Sequence, residues 1–212
     1  AVAGARAGTD RSDDAGDLTM TAFIALRQAS RRDASELAIL ADIASHGFAS
    51  WLWCADVANG VSDTPMERGR LKMSEEDAVG SWRDSVIAEA YGEVAGVAIG
   101  HALEDGIGDI EATIPATEPM LALQKTVVGS WFIGSLGVYR HLRGIGIGRR
   151  LLEDQIDRAD RRPVSLITAS DNEAALSLYG RNGFLEAARA DAVSLFENSK
   201  SHAWVLMTRS AA

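Results

Sequence analysis

The chain holds one cysteine, Cys54, in 212 residues. A single thiol rules out an internal disulfide framework, so a reducing compartment, the cytoplasm, is expected. Cys54 sits in "WLWCA", where a lone cysteine reads as a small buried hydrophobe. The four histidines lie far from one another and from Cys54, so no metal site is expected. No run of about 18 apolar residues occurs, which predicts no membrane span, and no apolar stretch at the N-terminus reads as a signal sequence. Positive charge is also scarce: 21 Lys and Arg face 30 Asp and Glu, a net −9. That balance argues against nucleic acid and anionic membrane as partners, and mildly favours a cationic one such as an amine.

What remains is ordinary globular material, 47% hydrophobic and 24% charged, enough for a sizeable core in one domain. Residues 1 to 19 are Ala, Gly and Asp without aromatics and read as a flexible tail, with a single folded domain over 20 to 212. "TAFIALRQAS" reads as a strand. "RRDASELAILADIAS" reads as a helix, with Leu37, Leu40, Ala41 and Ala44 at helical spacing and Gly47 placed to cap it. "FASWLWCADVANGVS" holds a short helix, and Ser74 with Asp77 gives a weak cap signal. "SVIAEAYGEVAGVAIGHAL" reads as a hairpin turning at Gly92. Residues 104 to 119, with five acids and two prolines, read as a long loop.

"GSWFIGSLGVY" and "RPVSLITAS" read as strands with a helix between them, Gly148 to about Arg161. A strand, a crossover helix and a strand make a parallel pair. A last helix, "SDNEAALSLYGRNGF", ends at Gly183, and "FLEAARADAV" and "AWVLMTR" close the chain as strands. Ser170 with Glu173 is spaced as a capping box for that helix.

Between the parallel strands stands "RGIGIGR", 143 to 149. Glycine weakens a helix, yet three stand at the start of one. A glycine turn before a helix binds anions, because the first helical N–H groups lack partners and the dipole there is positive. Arg143 and Arg149 add charge and forked donors. A phosphate or pyrophosphate cradle follows, against the alternative of a turn with no ligand. A Walker loop is excluded because Arg149 and Arg150 stand where Lys and Ser or Thr are needed. A dinucleotide fingerprint needs glycine where Arg149 stands. Asn172 falls in the first turn of the last helix, and Tyr179 lies two turns on along the same face.

"SLGVYRHLRGIGIGRRLL" followed by "SDNEAALSLYGRNGF" resembles the GNAT superfamily of acetyl-CoA-dependent N-acetyltransferases. The hallmark Arg/Gln-x-x-Gly-x-Gly/Ala is met by Arg143, Gly146 and Gly148. A second signature is met by Asn172, Ala175, Tyr179, Gly183 and Phe184. The resemblance is strong over 131 to 185 and order-consistent from 22 to 209. It implies an α/β (α+β) fold with one mixed, mostly antiparallel sheet of six to seven strands. A central parallel pair would splay for the cofactor, and about four helices would flank the sheet.

The resemblance also assigns roles. Backbone groups at Leu136, Gly137 and Val138 would pair with the pantetheine arm of acetyl-CoA. The pyrophosphate would rest on Arg143, Gly144, Ile145 and Gly146, and on Ile147, Gly148 and Arg149. Asn172 would hydrogen-bond the arm, and Tyr179 would act as acid for the leaving thiolate. A backbone N–H near Leu136 or Val138 would hold the oxyanion. Gly134 and Gly137 suit a bulge or a close backbone approach.

The expected activity is transfer of the acetyl group to a primary amine by direct attack, a small-molecule amine before a protein. The alternative is an acyl-CoA-binding sensor without turnover. No general base is assigned among Glu104, Glu111, Glu118, His101 and His46. The acids of the 104 to 118 loop would draw a cationic amine, and Phe48, Trp51 and Trp53 would wall the acceptor pocket or fill the core. A homodimer is a further expectation.

Overall fold

A computed structural model describes residues 23 to 196 and 201 to 211. The tail expected over 1 to 19 lies outside them. Seven strands form one sheet: β1 (Ala25–Gln28), β2 (Ser85–Ala90), β3 (Glu93–Ala102), β4 (Trp131–Val138), β5 (Val164–Ala169), β6 (Leu185–Asp191) and β7 (Ala203–Arg209). Their order is β1-β2-β3-β4-β5-β7-β6. Every neighbouring pair is antiparallel except β4 and β5. Six α-helices, two more than expected, accompany them: α1 (Ala34–Ala44), α2 (Phe48–Ala58), α3 (Pro65–Ser74), α4 (Glu118–Lys125), α5 (Ile147–Arg158) and α6 (Glu173–Arg181).

The helices cover both faces of the sheet. Leu37 and Leu40 of α1 bury against Ile87, Val97 and Ile99 on one face. Ile147 and Leu151 of α5 bury against Val86 and Ala98 on the other. Buried on both faces, β3 carries small residues, and Gly100 shows why. A Cβ there would fall 2.1 Å from Gln155 Oε1 and 2.6 Å from Trp131 Nε1. Those two atoms hydrogen-bond at 3.1 Å, which satisfies a fully buried amide.

Local chemistry explains several boundaries. Gly47 takes φ +88° and its N–H bonds Asp42 O, closing α1 as expected. Tyr91 and Gly92, both at positive φ, make the β2–β3 turn. Ser74 starts no helix. It ends α3, a polar helix opened by Thr64, whose Oγ1 accepts from the Glu67 N–H, with Pro65 at its first position. The last eight residues before Thr126 form α4, so the expected loop of 104 to 119 runs into a helix. Ser170 does not cap α6 either: its Oγ accepts from the Ala203 N–H at 3.0 Å, and Asn172 Oδ1 caps the helix through the Ala175 N–H.

Candidate functional site

The parallel pairing of β4 with β5 stops at Ile133↔Leu166, although both strands run on. Ser130 and Ser165 hold the closed end: Ser130 Oγ donates to Val127 O, so the Ser165 hydroxyl donates to Ser130 Oγ at 2.6 Å. On its other side β4 stays paired to β3, and the register steps from Ile99↔Ser135 to Gly100↔Ile133. Gly134 is the extra residue, a bulge at the point where the strands part.

Alternation along β4 decides which backbone groups face the opening. The Tyr139 N–H bonds Ala95 O on β3, so the groups of Leu136 and Val138 turn away from β3, toward the gap. Gly137 turns the other way, and its carbonyl lies beside Gly96. Expected among the arm-pairing residues, Gly137 instead belongs to the β3 ladder. Its lack of a side chain serves packing, since a Cβ would fall 2.5 Å from Leu40 O in α1.

Past Val138 a short 3-10 turn, Arg140–Leu142, leads to the glycines. Gly144 and Gly146 adopt φ +86° and +96°, and nothing lies within 4 Å of a Cβ built on either. Handedness, not crowding, selects glycine at both. Gly148 differs, with ordinary φ and ordinary contacts for an added Cβ, the nearest being Leu178 at 3.6 Å. Among the described residues the N–H groups from Gly144 to Arg149 form no backbone hydrogen bonds. They stand at the positive end of the α5 dipole. Arg143 Nε folds back onto Val138 O at 3.0 Å, and Arg149 Nε pairs with Glu153 at 2.8 Å.

The gap and this turn open into one cavity of about 1520 Å³. Pockets for a single small ligand run to roughly 1,000 Å³, so this one has room for two molecules. Gly134 to Val138, Ile167 to Ala169, Arg143, Gly144, Gly146 to Arg149, Asn172 and Tyr179 all line it. Ile145 does not: its side chain is 39% exposed, leaving only its backbone to contribute. Asn172 Nδ2 lies 3.4 Å from His46 Nε2 across the cavity. Tyr179 is buried against Phe184, ring centroids 5.9 Å apart, and burial pushes its phenol up to about 12.

The far half of the cavity differs from expectation. None of Glu104, Glu111 and Glu118 lines it. Glu104 pairs instead with Arg162 at 3.0 Å. Trp53 is core: a Cβ on Gly69 would overlap its ring at 2.4 Å. Cys54, expected buried, is exposed and lines the cavity. Phe48 and Trp51 do wall it, stacked at 5.8 Å, and Trp204 packs edge-on to Phe48 at 5.8 Å. His202 meets Trp204 at 4.8 Å.

His101 also lines the cavity. It sits on β3 opposite Phe132, whose ring it meets at 5.9 Å, next to the bulge. Its Nδ1 is buried without a hydrogen-bond partner among the described residues, and burial lowers its pKa below the ordinary histidine value despite the opposing charge of Asp84. Trp204 and His202 went unread in the sequence. They follow residues with no periodic signal, and only the β5–β7 pairing brings Trp204 opposite Ala169. No cluster of metal-ligating side chains exists among the described residues.

Comparison with known proteins decides the family. The model of the acetyltransferase (GNAT) family matches residues 46–184. The chain belongs to the GNAT acetyltransferase family. Solved structures agree on the fold. An N-acetyltransferase from Staphylococcus aureus Mu50 aligns with TM-score 0.59 at 19% identity, covering 87% of this chain and 99% of that one. A structure titled histone acetyltransferase HPA2 and related acetyltransferase, from Corynebacterium glutamicum, aligns at 0.57 with 18% identity, over 89% and 97%. The putative acetyltransferase yncA from Salmonella typhimurium, solved with its cofactor acetyl-CoA, aligns at 0.54 with 16% identity, over 89% and 94%. A search of curated proteins gives no match.

Proposed function

We propose that this GNAT protein transfers the acetyl group of acetyl-CoA to a primary amine of a small molecule by direct attack. One observation carries the reading. The unpaired stretch of β4 past the bulge leads straight into six backbone N–H groups without backbone partners at the start of α5. An extended amide-bearing arm needs the first and its pyrophosphate needs the second. The residues present therefore fit acetyl-CoA.

Bound acetyl-CoA supplies an activated acetyl thioester. The chain supplies the rest. Leu136 and Val138 offer backbone groups on the gap side of β4, and Arg143 already occupies Val138 O, which leaves the Leu136 groups and the Val138 N–H. Arg143, Arg149 and Arg181 place positive charge along the cavity for phosphates. Asn172 spends Oδ1 on its cap and keeps Nδ2 for the arm, exchanging its contact with His46.

Tyr179 stays protonated across the working pH range. With a phenol pKa near 12 it acts as a hydrogen-bond donor to the leaving sulfur more than as a full proton donor, because proton transfer favours an acid near ambient pH. His101 is assigned as the base. It is the cavity histidine nearest the bulge in the strand register, and burial keeps it neutral and ready to accept a proton. The aromatic wall of Phe48, Trp51 and Trp204 at the acceptor end also favours a small molecule over a protein side chain.

Calorimetric titration with acetyl-CoA, repeated on Arg143→Glu, tests the cradle, and CoA release in the presence of amines tests turnover. Binding that weakens in the variant, with amine-dependent CoA release, is the expected result. A wild-type protein that fails to bind acetyl-CoA would refute it. Binding without turnover would favour a sensor.

A further inference from the structure

The acceptor half of the cavity carries aromatic surface and almost no charge. Phe48, Trp51 and Trp204 form one connected wall, with Phe132 and Met120 also lining the cavity. Asp171 is the one carboxylate lining the cavity among the described residues, and it is already engaged within the protein. The cationic residues there are Arg143, Arg149 and Arg181, which stand on the α5 and α6 side. The aromatic wall comes from α2 and β7.

We propose that the acceptor is a compact aromatic amine, a ring joined directly or by a short chain to one primary amine. This rests on the transferase reading above. A polyamine would bring a second ammonium into a space where, among the described residues, Asp171 is the one carboxylate and is already engaged, and burying an unpaired cation is strongly unfavourable. A single amine escapes that penalty by entering as the neutral base it must be to attack, its ammonium proton left in bulk water. His101 then takes the N–H proton released as the amide forms and the C–S bond breaks, and passes it toward the departing thiolate. Aromatic faces do hold cations, but a cation held there is not a nucleophile. A flat ring, in contrast, matches the wall in shape and loses its water on entering. Met120 can adjust to the ring that enters. Trp204 adds a buried Nε1 that has no hydrogen-bond partner among the described residues.

The experiment is a steady-state comparison by CoA release. 2-Phenylethylamine and tryptamine are set against spermidine and a lysine-containing peptide, with acetyl-CoA binding followed by calorimetry in every sample. The aromatic amines are expected to show kcat/KM about tenfold or more above spermidine and the peptide. Trp51→Leu should raise the KM for the aromatic amines about tenfold and leave acetyl-CoA binding unchanged. Gln124→Glu tests the charge argument without altering size. Gln124 lines the cavity from α4, and a carboxylate there should shift the preference toward spermidine.

Spermidine or the peptide turned over as well as the aromatic amines by the wild type overturns the aromatic acceptor and leaves the transferase standing. Acetyl-CoA binding with no turnover of either aromatic amine overturns it as well. Loss of acetyl-CoA binding by the wild type would instead overturn the transferase reading.

Discussion

Two glycines in β4 make opposite predictions. A Cβ on Gly137 would sit 2.5 Å from Leu40 O and 3.3 Å from Ala44 Cβ. The obstacle is helix backbone, so it cannot swing aside, and α1 must retreat by about 1 Å to restore normal contact. Leu37 and Leu40 of that helix are fully buried, so the retreat loosens a core. Overpacking of this kind costs about 1–3 kcal/mol, and replacing glycine by alanine in a strand returns about 0.5–1. Gly137→Ala should therefore lose about 1.3 kcal/mol at mid-range and up to about 2.5, or about 3–5 °C in Tm at mid-range for a chain of this size. Ile43 and Ala44 also line the cavity, so acetyl-CoA should bind more weakly. Gly134→Ala is the control. Its Cβ would meet nothing closer than 3.8 Å, and its Tm should stay at or above the wild-type value. Thermal unfolding followed by circular dichroism, with calorimetric titration of acetyl-CoA, measures both. If Gly137→Ala melts no lower than wild type, or if Gly134→Ala falls as far, the close approach of α1 to β4 is not what requires glycine.

Gly148→Ala should raise Tm, since alanine favours a helix over glycine by about 1 kcal/mol, yet weaken acetyl-CoA by crowding the cradle; tighter binding would count against the cradle. Tyr179→Phe should lower kcat about ten- to hundredfold, the value of one hydrogen bond to developing charge, and leave acetyl-CoA affinity unchanged; an unaltered kcat would remove Tyr179 from the chemistry. His101→Gln should lower kcat and abolish an acid limb of the pH profile that lies below the ordinary histidine pKa of about 6.5. Its stability signature has a fixed sign. The folded protein keeps His101 neutral where the unfolded chain is protonated, so stability is full above that pH and falls as acid is added, and the variant should show a shallower acid slope in Tm.

How much of this was legible depended on how local each cause is. The left-handed turns at Gly144 and Gly146 are set by backbone sterics within a few residues, and "RGIGIGR" announces them. Asn172, the cap of α6, and Tyr179, about two turns along it, both fall on the cavity side, as their seven-residue spacing suggests. The different duties of Gly134 and Gly137 were not legible, because they depend on the register with β3 and on the distance to α1. The same limit hid the cap of α6. Ser170 and Asn172 carry equally good capping oxygens, and the Ala203 N–H from β7, 33 residues on, takes one and leaves the other. Helix α3 escaped notice because its exposed, charged sequence lacks an apolar stripe, although Thr64, Pro65 and Glu67 mark its start.

The sign of the net charge misled for a related reason. Thirty acids against 21 bases suggest a protein built to attract cations. Yet among the described residues the cavity is lined by three arginines and one engaged aspartate, so the other described acids lie elsewhere. Several are committed on the surface, as Glu104 is to Arg162 and Glu153 to Arg149. A charge acts within about a Debye length, roughly 8–10 Å at ordinary salt, so a ligand inside the cleft responds to its walls and not to the sum over the chain. The glycine turn adds the α5 dipole to the arginines. The end that receives phosphates is thus positive, and the aromatic end is nearly neutral. An amine that enters the neutral end finds, among the described residues, no unengaged carboxylate on the aromatic wall to hold its proton. The same lack that excludes polycations therefore favours the uncharged amine that the thioester needs.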